Sequence, residues 1–344
     1  MNTNNQISEV QKVLQRVRQG LMDPPKKFGG FWDSVDPIDI RTALMTPPAE
    51  MDFALPGLCA GTVGAIVSPG ACGKSLLALQ IAVSIATGID FAGLESDEFK
   101  LRRGKVLYLC AEDPVVILHQ RLHDIRKYAE RRLGLDAEGV ERFATSVSER
   151  LEVRCLMGAF ANLSDEGIRA ELRRIAAGCR LIIIDTLRRV HALDESDSGE
   201  MARLVSFLEE LCSQSFDSGD VSVLFLHHTT KSSSRDGADE QQASRGSSVL
   251  TDNVRLQYNL VPMTVDDAKQ FKIPIGRRGA FVRLCCTKAN YCQAPRDRWY
   301  QRQFGGVLTP IDPAHLKFEL SQSNFDEHVA GRGTASTRRS RRWQ

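Results

Sequence analysis

The chain has 344 residues, 42% of them hydrophobic, which suits one large α/β domain with extensions, or two domains, and ample core. Its 45 Lys and Arg against 43 Asp and Glu leave a net charge of +2, which excludes a global polycation and confines any nucleic-acid contact to local patches. The nine cysteines form no Cys-x-x-Cys pair and no Cys/His set at zinc-ligand spacing; several stand in apolar runs, where a cysteine behaves as a small buried hydrophobe, and a reduced, cytoplasmic setting is expected.

The chain opens Met1-Asn2-Thr3-Asn4-Asn5, with no apolar signal core, and no apolar run reaches the roughly 18 residues of a membrane span, so no membrane contact is expected. Residues 1–22 place Ile7, Val10, Val13, Leu14, Val17 and Leu21 at helical spacing. Residues 23–50 are rich in Pro, Asp and Thr and embed Phe28, Phe31 and Trp32, the pattern of an arm packing on its own subunit or on a neighbour. A core then runs over 51–310, where short apolar runs alternate with helical patterns. That alternation predicts an α/β fold, a mostly parallel sheet flanked by helices, with antiparallel additions near the C-terminus. Strands are predicted at 62–67, 105–110, 151–156, 180–185, 221–227, 254–260 and 280–288, the last two pairing with the segment around Trp299–Phe304 as the antiparallel additions. Residues 311–344 form an extension whose end, 331–344, holds five arginines and no acid and is expected to be disordered.

The chemistry begins at Ser68-Pro69-Gly70-Ala71-Cys72-Gly73-Lys74-Ser75, between one apolar run (Thr62–Val67) and another that opens at Leu76. Strand, glycine-rich loop, helix is the context of a phosphate-binding loop. Backbone N–H groups from Pro69 to Leu76 and the positive end of the following helix would cradle nucleotide phosphates; Lys74 would reach the β- and γ-phosphates and Ser75 would bind Mg²⁺. The strand 105–110 delivers Ala111-Glu112-Asp113-Pro114. Glu112 is the candidate base for an attacking water; Asp113 is a second candidate, or a cap for the helix that begins at Val115. Four apolar residues then place Asp185 at the end of the next strand, the Walker-B form of a metal-holding carboxylate. The strand after that ends in His227 and His228, one of which should point inward, since successive strand residues face opposite sides. Beyond it, residues 232–244 are low in apolar content and read as a mobile loop. Arg245 and Arg255 lie near element edges and are candidates for a cation that stabilises the transition state of a neighbouring subunit.

Several stretches resemble the RepA-type hexameric replicative helicases of IncQ plasmids, within the RecA-like P-loop ATPases. They are Gly61–Gly70 with Gly73-Lys74-Ser75, Ala111–Pro114, Asp185–Arg189, Leu226–His228, Gln241–Leu250, Asp252-Asn253, Thr287–Tyr291 and Gly305–Leu308, in the same order over roughly 50–310. The resemblance implies a homohexameric ring that moves on single-stranded DNA by hydrolysing ATP with Mg²⁺ between subunits. It further implies Glu112 as base, His228 as γ-phosphate sensor and Arg255 as arginine finger, and a replication initiator or primase as further partners. Arg188, Arg189, Lys231 and Arg235 are candidate DNA contacts. The stretch before the core and the arginine tail have no assigned counterpart in that family. Two other readings stay open: a RecA-like DNA-dependent ATPase that regulates or loads without unwinding, and a monomeric small-molecule kinase. No lid-like arginine cluster follows the loop helix to favour the kinase.

Overall fold

Leu107 and Leu109 face one side of their strand while Val106, Tyr108 and Cys110 face the other, and both sets are buried. A strand apolar on both faces must be covered on both, and the same holds for its neighbours. A computed structural model describes residues 37–212, 221–228 and 249–315. The amphipathic segment 1–22, the aromatic arm, Lys231, Arg235, Arg245 and the arginine tail lie outside the described residues.

The chain divides into two units, Met1–Glu50 and Met51–Gln344. In the first, helix α1 (Ile40–Met45) is capped by the Asp39 carboxylate, which accepts from the Thr42 N–H at 3.2 Å, and it buries none of its residues. A proline- and threonine-rich composition masks this turn of helix in the sequence.

The second unit contains, in order, β1 (Phe53–Leu55), β2 (Leu58–Cys59), β3 (Val63–Ser68), α2 (Lys74–Thr87), β4 (Lys105–Cys110), α3 (Val115–Leu133), α4 (Ala137–Ser148), β5 (Leu151–Cys155), α5 (Glu166–Ala176), β6 (Cys179–Asp185), α6 (Ser198–Cys212), β7 (Ser222–His228), α7 (Val249–Asn253), β8 (Leu256–Pro262), α8 (Val265–Gln270), β9 (Phe281–Ala289), β10 (Arg298–Arg302) and β11 (Leu308–Ile311). β1 and β2 pair with each other. The others form one nine-stranded sheet in the order β11-β10-β9-β8-β3-β7-β6-β4-β5. From β5 to β8 all neighbours are parallel; β9, β10 and β11 add on antiparallel. The strand that precedes the glycine-rich loop, β3, is central, between β7 and β8. That arrangement is the RecA-like P-loop fold.

One expectation needs correction. The sequence pattern puts 254–260 among the antiparallel additions, but β8 pairs parallel with β3, Gly64 opposite Leu256 and Val67 opposite Asn259, and only β9 pairs with β10. β8 is buried along Leu256–Val261, as a strand flanked on both edges is, so its apolar pattern does not reveal strand direction.

On one face Ile66, Tyr108, Ile183 and Leu224 pack with α2 and α3; on the other Val67, Leu109, Ile184 and Phe225 pack with α5 and α6. Helix α2 is buried from Leu76 to Ala86 on all sides, which removes any amphipathic signature, and ends at Gly88 in the left-handed conformation. Each fully buried Leu or Ile in these layers contributes about 1.5–3 kcal/mol.

Candidate active site

Four parallel strands, β3, β7, β6 and β4, lie side by side and end at the same edge, so the residues at their C-terminal tips become neighbours. This edge of an open α/β sheet is where ligands bind. In the loop after β3, Ala71 (φ +63°) and Gly73 (φ +93°) take left-handed conformations. Such dihedrals let successive N–H groups turn inward as an anion nest, continued by the N-terminus of α2 at Lys74.

Lys74 is only 6% exposed. Its Nζ lies 3.1 Å from His228 Nε2 and 3.4 Å from Nδ1. Burial pulls the ammonium pKa below its ordinary value, opposed by the carboxylates of Glu112 and Asp185. Ser75 Oγ donates to Asp185 Oδ1 at 3.1 Å, and the phenol of Tyr108 donates to Asp185 Oδ2 at 2.8 Å. The same phenol reaches the Ser75 carbonyl at 3.1 Å, tying the tips of β4 and β6 to the loop helix. Asp185 is fully buried, and burial raises its pKa against the two hydroxyls and the Lys74 charge. A buried carboxylate beside a serine hydroxyl is a hard-oxygen donor pair that suits Mg²⁺. Cys110, Asp113 and Asp185 also bring their ligand atoms within 4.8 Å of one another.

Glu112 Oε1 accepts from Thr186 Oγ1 at 2.9 Å and lies 3.4 Å from His228 Nε2. The hydrogen bond from His228 is the main cause that holds its carboxyl down at about 2; burial opposes, and Thr186 and Lys74 assist. Asp113 is turned away from this cluster. It pairs with Arg121 of α3, and Pro114, not Asp113, occupies the cap position of that helix. Its carbonyl accepts from Cys155 Sγ at 3.3 Å, which binds the turn to the neighbouring strand. His227 is the inward member of the histidine pair, 2% exposed.

Arg188 and Arg189 follow Asp185 in the 3-10 turn Leu187–Val190 and, with Glu112 and His228, line a cavity of about 810 Å³ at the sheet edge. Arg188 is shared with Glu195 at 3.7 Å, whereas Arg189 is exposed. Arg255 is not brought to this cluster. Its N–H donates to the Val63 carbonyl at 2.8 Å, at the opposite end of β3, and its guanidinium faces Glu209 at 3.9 Å. The length of β3, about 17 Å at roughly 3.3 Å per residue, separates it from the loop.

Sequence reasoning missed Tyr108, Thr186, Gln80 and Arg302. The lone phenol in Lys105-Val-Leu-Tyr-Leu-Cys110 was a usable signal, because a buried tyrosine hydroxyl needs a partner. Thr186 stands next to Asp185; the other two carry no local pattern.

The fold and this set of residues define a P-loop ATPase. The AAA domain family matches residues 35–234, more than half of the chain, and the chain belongs to that family. Two solved structures are similar in fold. The ATPase domain of a helicase is 14% identical with a TM-score of 0.49, covering 73% of this chain and 85% of that one. The RadB recombinase is 13% identical with a TM-score of 0.45, covering 74% and 92%. Among the described residues no helix is long and apolar enough to cross a membrane.

Proposed function

We propose that the chain is a ring-forming ATP hydrolase, a hexamer in our reading, that moves along single-stranded DNA and unwinds duplex during replication of a plasmid or mobile element. The observation that carries this reading is the split between the two ends of β3. Lys74, Ser75, Glu112, Asp185 and His228 meet at one end, while Arg255 stands at the other, beyond reach of its own site. An arginine so placed acts only on a neighbouring protomer's nucleotide, which makes an oligomer the working unit.

In this reading the loop from Pro69 to Leu76 and Lys74 hold the phosphates of ATP, and Glu112, ionised throughout the neutral range, orients and deprotonates the attacking water. Mg²⁺, held by Ser75 and Asp185, would neutralise charge on the β- and γ-phosphates when bound. His228 is the sensor for a chemical reason. Its Nε2 lies 3.1 Å from Lys74 Nζ and 3.4 Å from Glu112 Oε1. One ring nitrogen accepts from the ammonium or donates to the carboxylate, not both at once. A γ-phosphate that takes up Lys74 frees the nitrogen for Glu112; its departure reverses the choice. The Asp185–Val190 turn shares a cavity with both groups, so the change reaches Arg188 and Arg189, the phosphate grips assigned to DNA. Lys231 and Arg235 would extend that grip from the segment after His228. A replication initiator or primase would bring the ring to its DNA.

ATP hydrolysis measured with and without single-stranded DNA, followed by strand displacement on a forked duplex, tests the proposal. Stimulated hydrolysis with unwinding is expected. Stimulated hydrolysis without unwinding leaves the regulator or loader, and hydrolysis indifferent to DNA removes both.

A further inference from the structure

The β10–β11 hairpin, the antiparallel margin of the sheet, is joined to the phosphate loop and its helix at several points. Gln80 on α2 is fully buried. Its Nε2 donates to the Leu308 carbonyl at 2.9 Å and its Oε1 accepts from the Leu308 N–H at 2.9 Å, so one side chain pairs with β11 as a strand would. The turn between the two strands carries Gly305 at φ +74° and Gly306 at φ +84°. A Cβ on Gly305 would overlap the Asp124 carboxyl, and one on Gly306 would come within 3.3 Å of Leu76, so glycine alone lets the turn lie this close to α3 and α2.

That docking brings Arg302, the last residue of β10, onto the loop itself. Its Nη2 donates to the Ala71 carbonyl at 3.0 Å, and its Nη1 lies 3.1 Å from where a Cβ on Gly73 would stand. Arg302 is half-buried, and among the described residues no carboxylate pairs with it. Burial lowers its pKa, with only the Cys72 thiol opposing. A partly desolvated guanidinium without a counter-ion is unfavourable until an anion arrives nearby. The segment beside it is the one that receives phosphate. Its one protein partner there, the Ala71 carbonyl, belongs to a residue at φ +63°. A guanidinium on that carbonyl keeps it on the outer side of the turn, which leaves the loop N–H groups facing in.

We propose that Arg302 is a positioning residue of the nucleotide site in the same protomer: through Ala71 it clamps the outer side of the phosphate loop in its anion-receiving form and thereby sets the affinity for nucleoside di- and triphosphates. The antiparallel hairpin is then a part of the nucleotide site and not only an extension of the sheet. The inference rests on the reading of Ser68–Ser75 as a phosphate loop.

The experiment uses the full chain, with ADP and Mg²⁺-ATP as probes. Dissociation constants, KM, kcat and melting temperature are compared for wild type, Arg302→Ala, Arg302→Lys and Gln80→Leu. Arg302→Ala should raise KM for ATP and Kd for ADP about tenfold, the size of one charge-assisted hydrogen bond, with kcat at saturation within about twofold. Arg302→Lys, which keeps the charge and one donor, should recover part of the loss. Gln80→Leu should lower the melting temperature more than Arg302→Ala does while raising KM less. Unchanged KM and Kd in Arg302→Ala, with wild type binding ATP normally, overturns the role of Arg302 alone. A rise in KM that Gln80→Leu reproduces and lysine does not relieve assigns Arg302 to folding only and overturns it too. A wild type that binds neither nucleotide overturns the phosphate loop reading together with this one.

Discussion

The two ends of strand β3 are built on opposite plans. At the C-terminal end every polar side chain of the site is buried or half-buried and held by at least one other: Ser75 and Tyr108 on Asp185, Thr186 and His228 on Glu112, Lys74 on His228. At the N-terminal end Arg255 is 42% exposed and held by one carboxylate at 3.9 Å. An exposed pair of this kind is worth about 0–1 kcal/mol, so Glu209 restrains Arg255 very little. The contrast teaches a division of labour. Groups that must be oriented before reaction are fixed within a protomer, and the cation needed only in the transition state is left free to engage a neighbour.

Mutation can break this comparison, and its largest expected effect lies at the loose end. Arg255→Ala should lower kcat by about 10³-fold, the usual worth of an arginine finger, while shifting stability by no more than about 0.5 kcal/mol. Steady-state hydrolysis beside a melting curve checks both; an unchanged kcat would reduce Arg255 to a surface ion pair. At the tight end, Gln80→Leu should cost about 1–3 kcal/mol for each Leu308 group left buried without a partner, read by denaturant unfolding. Tyr108→Phe removes one hydrogen bond from Asp185 and one from the Ser75 carbonyl, and should cost about 1 kcal/mol and raise the Mg²⁺ concentration for half-maximal hydrolysis a few-fold.

The smallest effect concerns pH. Glu112 has a folded-state pKa of about 2 against an ordinary 4.5, so folding favours its ionised form. The stability this provides is fully present above the unfolded value and disappears as pH falls through the folded one. Between pH 4.5 and 2 the wild type should therefore lose stability more steeply than Glu112→Gln, by one proton's share. Parallel melting profiles over that range would show that the His228 and Thr186 contacts do not bias the carboxyl.

The same contrast explains what could be read from the residues in order. Ser68–Ser75, Glu112 and Asp185 were legible because each sits at the end of a fully buried strand, where a run of apolar residues followed by one polar residue is a local pattern. The strands β3 to β7 followed from the same runs. β11 escaped because four residues around Pro310 carry no alternation, and β8 was given the wrong direction because burial on both faces looks alike in parallel and antiparallel strands. Arg302 and Gln80 were illegible for a different reason. Their partners, Ala71 and Leu308, lie 231 and 228 positions away, and nothing near either residue announces them.

The most direct test of the central claim mixes two inactive proteins. Glu112→Gln lacks the base but keeps Arg255; Arg255→Ala lacks the finger but keeps Glu112. Co-assembled and supplied with ATP, Mg²⁺ and single-stranded DNA, they should regain hydrolysis, because some interfaces then pair an intact base with an intact finger. A mixture as inactive as either parent, in oligomers shown to contain both, would contradict a site completed across the subunit boundary.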